Sequence, residues 1–216
     1  MAPEIPGALD LIAWLTDRGV AVSLGHSAAT VAQGRAGYAA GGTTTTHLFN
    51  GMTGVDHRAP GLAVAALTDQ AAYVELIADG HHVHPAIWDL IERTKPSDRL
   101  VLISDALSMS GTGPGRTQIS GMDIEIHEDR ATLAGSDTLA GSVLALDSMV
   151  RNVVLNGSSL PAVSAAASGN PLALLGVTDR GRLEPGLLAD LAILDDSLRV
   201  RRVMLGGLWH EGHAGP

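Results

Sequence analysis

Three strand-like runs in this chain lead into histidine-bearing ends, and a fourth ends on an aspartate. Val20 to Leu24 leads into Gly25 and His26, Thr43 to Thr46 into His47, Ala72 to Ile77 into Asp79, His81 and His82, and Leu100 to Ser104 into Asp105. A neutral imidazole nitrogen is a common ligand of a divalent metal. A carboxylate beside metal-activated water can take a proton and hand it to a departing amine. Parallel strands closed into a ring present their C-terminal ends on one face, as in a TIM-type barrel. Four such termini would converge there into a mononuclear hydrolytic site.

Each residue also has a plainer reading. His26 and His47, taken singly, cap turns; their matched placement after successive strands favours a metal pair. His81, His82 and His84 crowd together as metal ligands, phosphate binders or a solvated cluster, and a continuing strand would send His82 and His84 to one side. Asp105 ends an apolar run, a costly place for a carboxylate without partners, unless it caps the turn over residues 108–111. Gly51 permits close backbone approach to a ligand, and Arg58 offers a planar fork for phosphate or carboxylate, although a lone loop arginine is most often a solvated charge. Asp190 reads as structural.

The elements that must position these groups alternate. Helical spacing runs over Ala8 to Arg18, a second helix from an N-cap at Ser27 to Ala40, a third over Gly61 to Thr68, and a fourth from Pro85 to about Arg93. Strands lie between them, which implies parallel βαβ units and an α/β fold, a partial TIM-type (β/α) barrel over residues 1–175. The pattern then changes. A Gly- and Ser-rich loop covers Met109 to Arg116. A hairpin turns at Glu128 and Asp129, forming an insertion near residues 118–135. Helices are expected over Ser142 to Leu155 and Ser164 to Leu175, and residues 176–216 read as turn, strand, turn, strand with a frayed tail from Gly212.

Composition bounds the chemistry. Apolar residues are 45% of the 216, aromatics only 3%, so small side chains carry the packing. The absence of cysteine removes disulfides and thiolate ligands, leaving His, Asp and Glu for any metal. A net charge of −9 argues against nucleic acid, and no run is long and apolar enough for a membrane span. The N-terminal residues lack the pattern of a signal peptide, so a cytoplasmic location is expected.

The stretches SLGHSA (residues 23–28), THLFNGM (46–52), ADGHHVH (78–84), SDA (104–106), LAGS (139–142), and Asn170-Pro171 followed by GRLEPGLLADLAILD together resemble the N-acetylglucosamine-6-phosphate deacetylases of the amidohydrolase superfamily. The resemblance runs from Ala2 to about His210. It implies metal ligation by His26 and His47, acid/base catalysis by Asp105, and substrate contacts from Asn50, Gly51, Arg58, His82, Leu139, Ala140 and Gly141. It also implies a divalent metal, zinc or iron, a homodimer in which Arg58 or His82 reaches the neighbouring subunit, and strands of a small β-sandwich over 176–216. The implied reaction is hydrolysis of the N-acetyl amide of the sugar phosphate to glucosamine 6-phosphate and acetate. Three family features are absent: the opening strands of a small β-sandwich, a His-x-His strand and a Glu-Gly-Pro turn carrying a glutamate ligand. Ala2-Pro3-Glu4 follows that turn in the family, so Glu4 is not that ligand. Gly51 stands for a common Ala and Ser104 for a common Thr. Two imidazoles alone hold zinc poorly, so the isolated chain is expected to be inactive or nearly so. Two other readings stay open: a dihydroorotase-like or adenine-deaminase-like amidohydrolase, or a non-catalytic fragment that binds a sugar phosphate or a partner.

Overall fold

The computed structural model describes residues 1–210; the tail expected from Gly212 lies outside them. Helix α1 (Ala8–Thr16), strand β1 (Ser23–Leu24), α2 (Val31–Ala39), β2 (Thr44–Thr45), α3 (Leu62–Thr68), β3 (Tyr73–Ile77), α4 (Pro85–Thr94) and β4 (Leu100–Ile103) follow in turn. The four strands form one parallel sheet in the order β1-β2-β3-β4, so each lies beside its successor in the chain. Their C-terminal ends therefore share one edge.

Register sorts the two faces. Ser23, Thr44 and Tyr73 are aligned, and so are Glu75 and Val101. Alternation turns Leu24, Val74, Leu76 and Leu102 to the opposite face, where all are buried in the main core with Leu62, Ile91, Met149 and Val153. Small residues make this layer thin. A Cβ on Gly34 would sit 2.8 Å from the Ala65 side chain, and one on Gly37 would sit 2.9 Å from Leu24, so α2 approaches α3 and β1 only because both are glycine.

Several boundaries differ from the expectation, each for a local reason. The second helix starts at Val31, with Thr30 and Gln33 forming a capping box; the Ser27 hydroxyl instead donates to Glu4, at 2.6 Å. The expected helix from Ser142 begins only at Leu146 (α5, Leu146–Leu155), because Ser142 is held extended: its N–H donates to the Asp105 carbonyl and its carbonyl accepts from Leu107. The glycine-rich loop ends in a strand, β5 (Gly115–Ile119), which pairs with β6 (Met122–Ile126) and through it with β7 (Ala131–Leu133). Ile124, Ile126, Ala131 and Val143 give this three-stranded sheet a small core of its own. The last helical stretch starts at Leu160 and runs as α6 (Leu160–Ser164), a π-helical turn (Ala165–Gly169) and α7 (Asn170–Leu174). The Asn170 amide donates to the carbonyls of Ser97 and Leu100, fixing this stretch to the start of β4.

The C-terminal strands β8 (Leu191–Leu194), β9 (Val200–Leu205) and β10 (Leu208–His210) form an antiparallel sheet in the order β10-β9-β8, one strand more than expected. None of their residues is buried; Leu208 is 72% exposed, and so is 51% of Leu205. Asp190, read as structural, accepts from Arg180 at 2.9 Å and from the Gly206 N–H at 2.7 Å.

Lys95 is buried, and its ammonium donates to the Ala66 and Asp69 carbonyls at the end of α3. Burial pulls it down to about 8 from 10.5, opposed by Asp69 and assisted by Arg99. The unfolded chain keeps this proton to a higher pH than the folded one, so between those values stability rises with pH. A gain on the order of 1–3 kcal/mol is expected between about pH 8 and 10.5, read as a rising thermal midpoint that Lys95→Met removes.

Candidate metal and substrate site

The rim residues share an unusual backbone. Six non-glycine residues among those described have positive φ, and three of them are His26 (47°), His47 (30°) and Asp105 (47°), with Phe49 (75°) close behind His47. Left-handed backbone is uncommon for non-glycine residues and gathers at functional sites. Here it breaks the strand pleat directly after β1, β2 and β4.

His26 and His47 meet. Their Nε2 atoms are 2.8 Å apart, and the rings stand edge to face with centroids 4.6 Å apart. His47 is buried and His26 exposed, so the pair lies at the mouth of the sheet. The His47 Nδ1 lies 3.1 Å from the Asn50 carbonyl. A carbonyl only accepts, so Nδ1 carries the proton and the neutral ring directs its Nε2 lone pair at His26. Tetrahedral donors about 2.0–2.1 Å from zinc lie roughly 3.3 Å apart, so the pair suits two corners of such an ion with an opening of about 0.5 Å. Among the described residues no third histidine, cysteine, aspartate or glutamate completes a metal-holding group.

Supports come from both sides. Glu4 accepts from the Ser27 hydroxyl (2.6 Å) and the Ala28 N–H (2.7 Å), anchoring the turn after His26. Gly51, at φ +58°, packs against His26 so closely that a Cβ would sit 3.1 Å from Nδ1. Its carbonyl accepts the Ser27 N–H. An open cleft of about 460 Å³ lies here, lined by His26, Ser27, Ala28, Gly51, Met52 and Thr53. Glu75 on β3 accepts from the Thr44 hydroxyl at 3.3 Å. Burial pushes its carboxyl up, against hydrogen bonds from Thr46, the His47 N–H and Thr44. Sequence reading passed over Glu75, although one acid within the apolar run Ala72 to Ala78 was the available signal.

The other candidates fall in different places. Asp105 is exposed at the end of β4, two strands from β2, roughly 10 Å along the rim by strand spacing. The chain leaves its strand at Ile77, so alternation does not govern the three clustered histidines. His81 pairs with Asp129, between β6 and β7, at 2.9 Å, His82 with Asp79 at 2.6 Å, and His84 caps α4 by accepting from the Ala86 N–H. The Asn50 amide donates to the His47 and Leu48 carbonyls and so braces the turn. Arg58 is exposed, and its guanidinium makes no hydrogen bond among the described residues. Leu139, Ala140 and Gly141 are half-buried beside the rim, where a Cβ on Gly141 would sit 3.5 Å from the Asp105 carbonyl.

A parallel sheet with imidazoles paired at its C-terminal edge defines the class: the chain belongs to the amidohydrolase family, which its residues 4–209 match. Within that family it is similar to the N-acetylgalactosamine-6-phosphate deacetylase of Escherichia coli O157:H7, 44% identical over 209 residues, which are 96% of this chain and 55% of that protein. It is also 38% identical over 220 residues to the N-acetylglucosamine-6-phosphate deacetylase of Danio rerio, covering 98% of this chain and 54% of that one. The Mycobacterium smegmatis N-acetyl-D-glucosamine-6-phosphate deacetylase, solved as an aspartate-to-alanine variant with N-acetyl-D-glucosamine-6-phosphate, superposes with a TM-score of 0.93 at 40% identity, over 97% of this chain and 56% of that one. The chain spans about half the length of each of these three relatives.

Proposed function

We propose that this chain is the metal- and substrate-binding portion of a deacetylase acting on an N-acetylhexosamine 6-phosphate, N-acetylglucosamine 6-phosphate first. The observation that carries the reading is the His26–His47 pair, 2.8 Å apart, at strand ends that share a rim with Asp105. His26 and His47 would hold one divalent cation; zinc suits the imidazole donors, with iron next. Such a cation, when held there, would supply Lewis-acid polarisation of the acetyl carbonyl and would acidify water. Asp105 takes the proton of the attacking water at its carboxylate and returns it to the amide nitrogen, releasing acetate and the amine. Asn50 and Gly51 hold the turn against which the sugar lies. Arg58, His82 and residues 139–141 contact the phosphate and sugar, Arg58 or His82 across a homodimer in the cytoplasm.

The same reading makes the four-stranded sheet part of a TIM-type barrel over residues 1–175, with the 115–133 sheet as an insertion and β8–β10 as strands of a small β-sandwich. The exposed apolar residues of β8–β10 fit a sheet face that further strands would cover. Similarity to the galactosamine-type relative keeps the C4 epimer as a second substrate.

The test is acetate release from both epimers, phosphorylated and not. The 216-residue chain alone is expected to stay at the blank rate. Joined with the remaining portion that its relatives carry, it is expected to hydrolyse the 6-phosphates. Hydrolysis of a neutral cyclic amide in their place would overturn the proposal.

A further inference from the structure

We propose that Asp79 is a positioning residue of this rim: it fixes the proton of His82 on Nδ1 and leaves Nε2 as the ring atom offered to a ligand. Both side chains are nearly enclosed, 1% exposed for Asp79 and 7% for His82. The two carboxylate oxygens divide the work. Oδ1 accepts the backbone N–H groups of His81 (2.9 Å) and His82 (2.8 Å), which closes the turn after β3. Oδ2 lies 2.6 Å from the His82 Nδ1. Burial pushes the Asp79 carboxyl up, but hydrogen bonds from the His82 ring and from the two backbone N–H groups outweigh it and hold it below its ordinary value. An ionised carboxylate only accepts, so the proton sits on Nδ1. The His82 Nε2 makes no hydrogen bond among the described residues.

What reaches Nε2 rests on the deacetylase reading. The bare nitrogen accepts a sugar hydroxyl. The doubly protonated ring, its charge balanced by Asp79, donates to a phosphate oxygen. The tautomer itself does not depend on that reading.

The experiment is long-range ¹⁵N–¹H correlation of the histidine rings of the 216-residue chain, at a pH where the rings are neutral, with His82→Gln supplying the assignment. His82 is expected in the Nδ1–H form. In Asp79→Asn the single amide oxygen stays on the two backbone donors and the NH₂ faces Nδ1, so the ring is expected to switch to Nε2–H. A purely structural role for Asp79 predicts no switch. A neutral His82 carrying its proton on Nε2 in the unaltered chain, or an unchanged tautomer in folded Asp79→Asn, would overturn the proposal. Should the variant fail to fold, the spectrum of the unaltered chain still decides. Failure of the acetate assay leaves this spectrum unmoved, so the two readings fall separately.

Discussion

Asp105→Asn is expected to lower the rate of acetate release by about 10²–10⁴-fold in the chain completed by the portion that its relatives carry, with the dissociation constant of the sugar phosphate changed only a few-fold. The amide keeps the shape and removes the proton acceptor. The Asp105 backbone is already committed: its carbonyl accepts the Ser142 N–H and its φ is positive, so the side chain is held out at the rim. Asparagine tolerates that backbone well, which makes the variant a test of chemistry and not of folding. Single-turnover rates and equilibrium binding measured side by side separate the two effects. A variant that binds weakly but turns over normally would move Asp105 from proton transfer to substrate contact.

His47→Ala and His26→Ala form the second pair. Each is expected to weaken zinc binding by at least about 10²-fold, since either leaves one imidazole where two had faced each other. Their effects on stability should differ. His47 is buried, and its Nδ1 closes the turn at Asn50, so alanine there leaves a cavity and an unmet carbonyl, costing about 1–3 kcal/mol. His26 is exposed, and its loss should cost little. Chelator competition gives the affinities and thermal unfolding gives the stabilities. Unchanged zinc affinity in both variants would remove the metal pair from the proposal.

Much of this arrangement was legible in the chain because it depends on local rules. Strand runs ending on His26, His47 and Asp105 could be read directly, and the parallel sheet followed from helices placed between them. Two of the misplaced boundaries involve partners distant in sequence. Ser27 looks like a helix cap until Glu4, 23 residues away, takes its hydroxyl. Ser142 looks helical until the Asp105 backbone holds it extended. β5 hides in a glycine-rich stretch because β6 supplies its pairing. The roles of His81, His82 and His84 could not be separated by alternation, since Asp79, Asp129 and the start of α4 decide them.

The strand order bears on how this protein emerges during synthesis. Because β1 to β4 neighbour one another in the order they are made, every strand after the first meets a template already synthesised. Sheet growth can therefore follow the ribosome, with no strand waiting for a distant later partner. Among β1 to β4 the unpaired edges are the outer side of β1 and the strand last added, so each new strand finds its partner at once and wrong pairings have little time to compete.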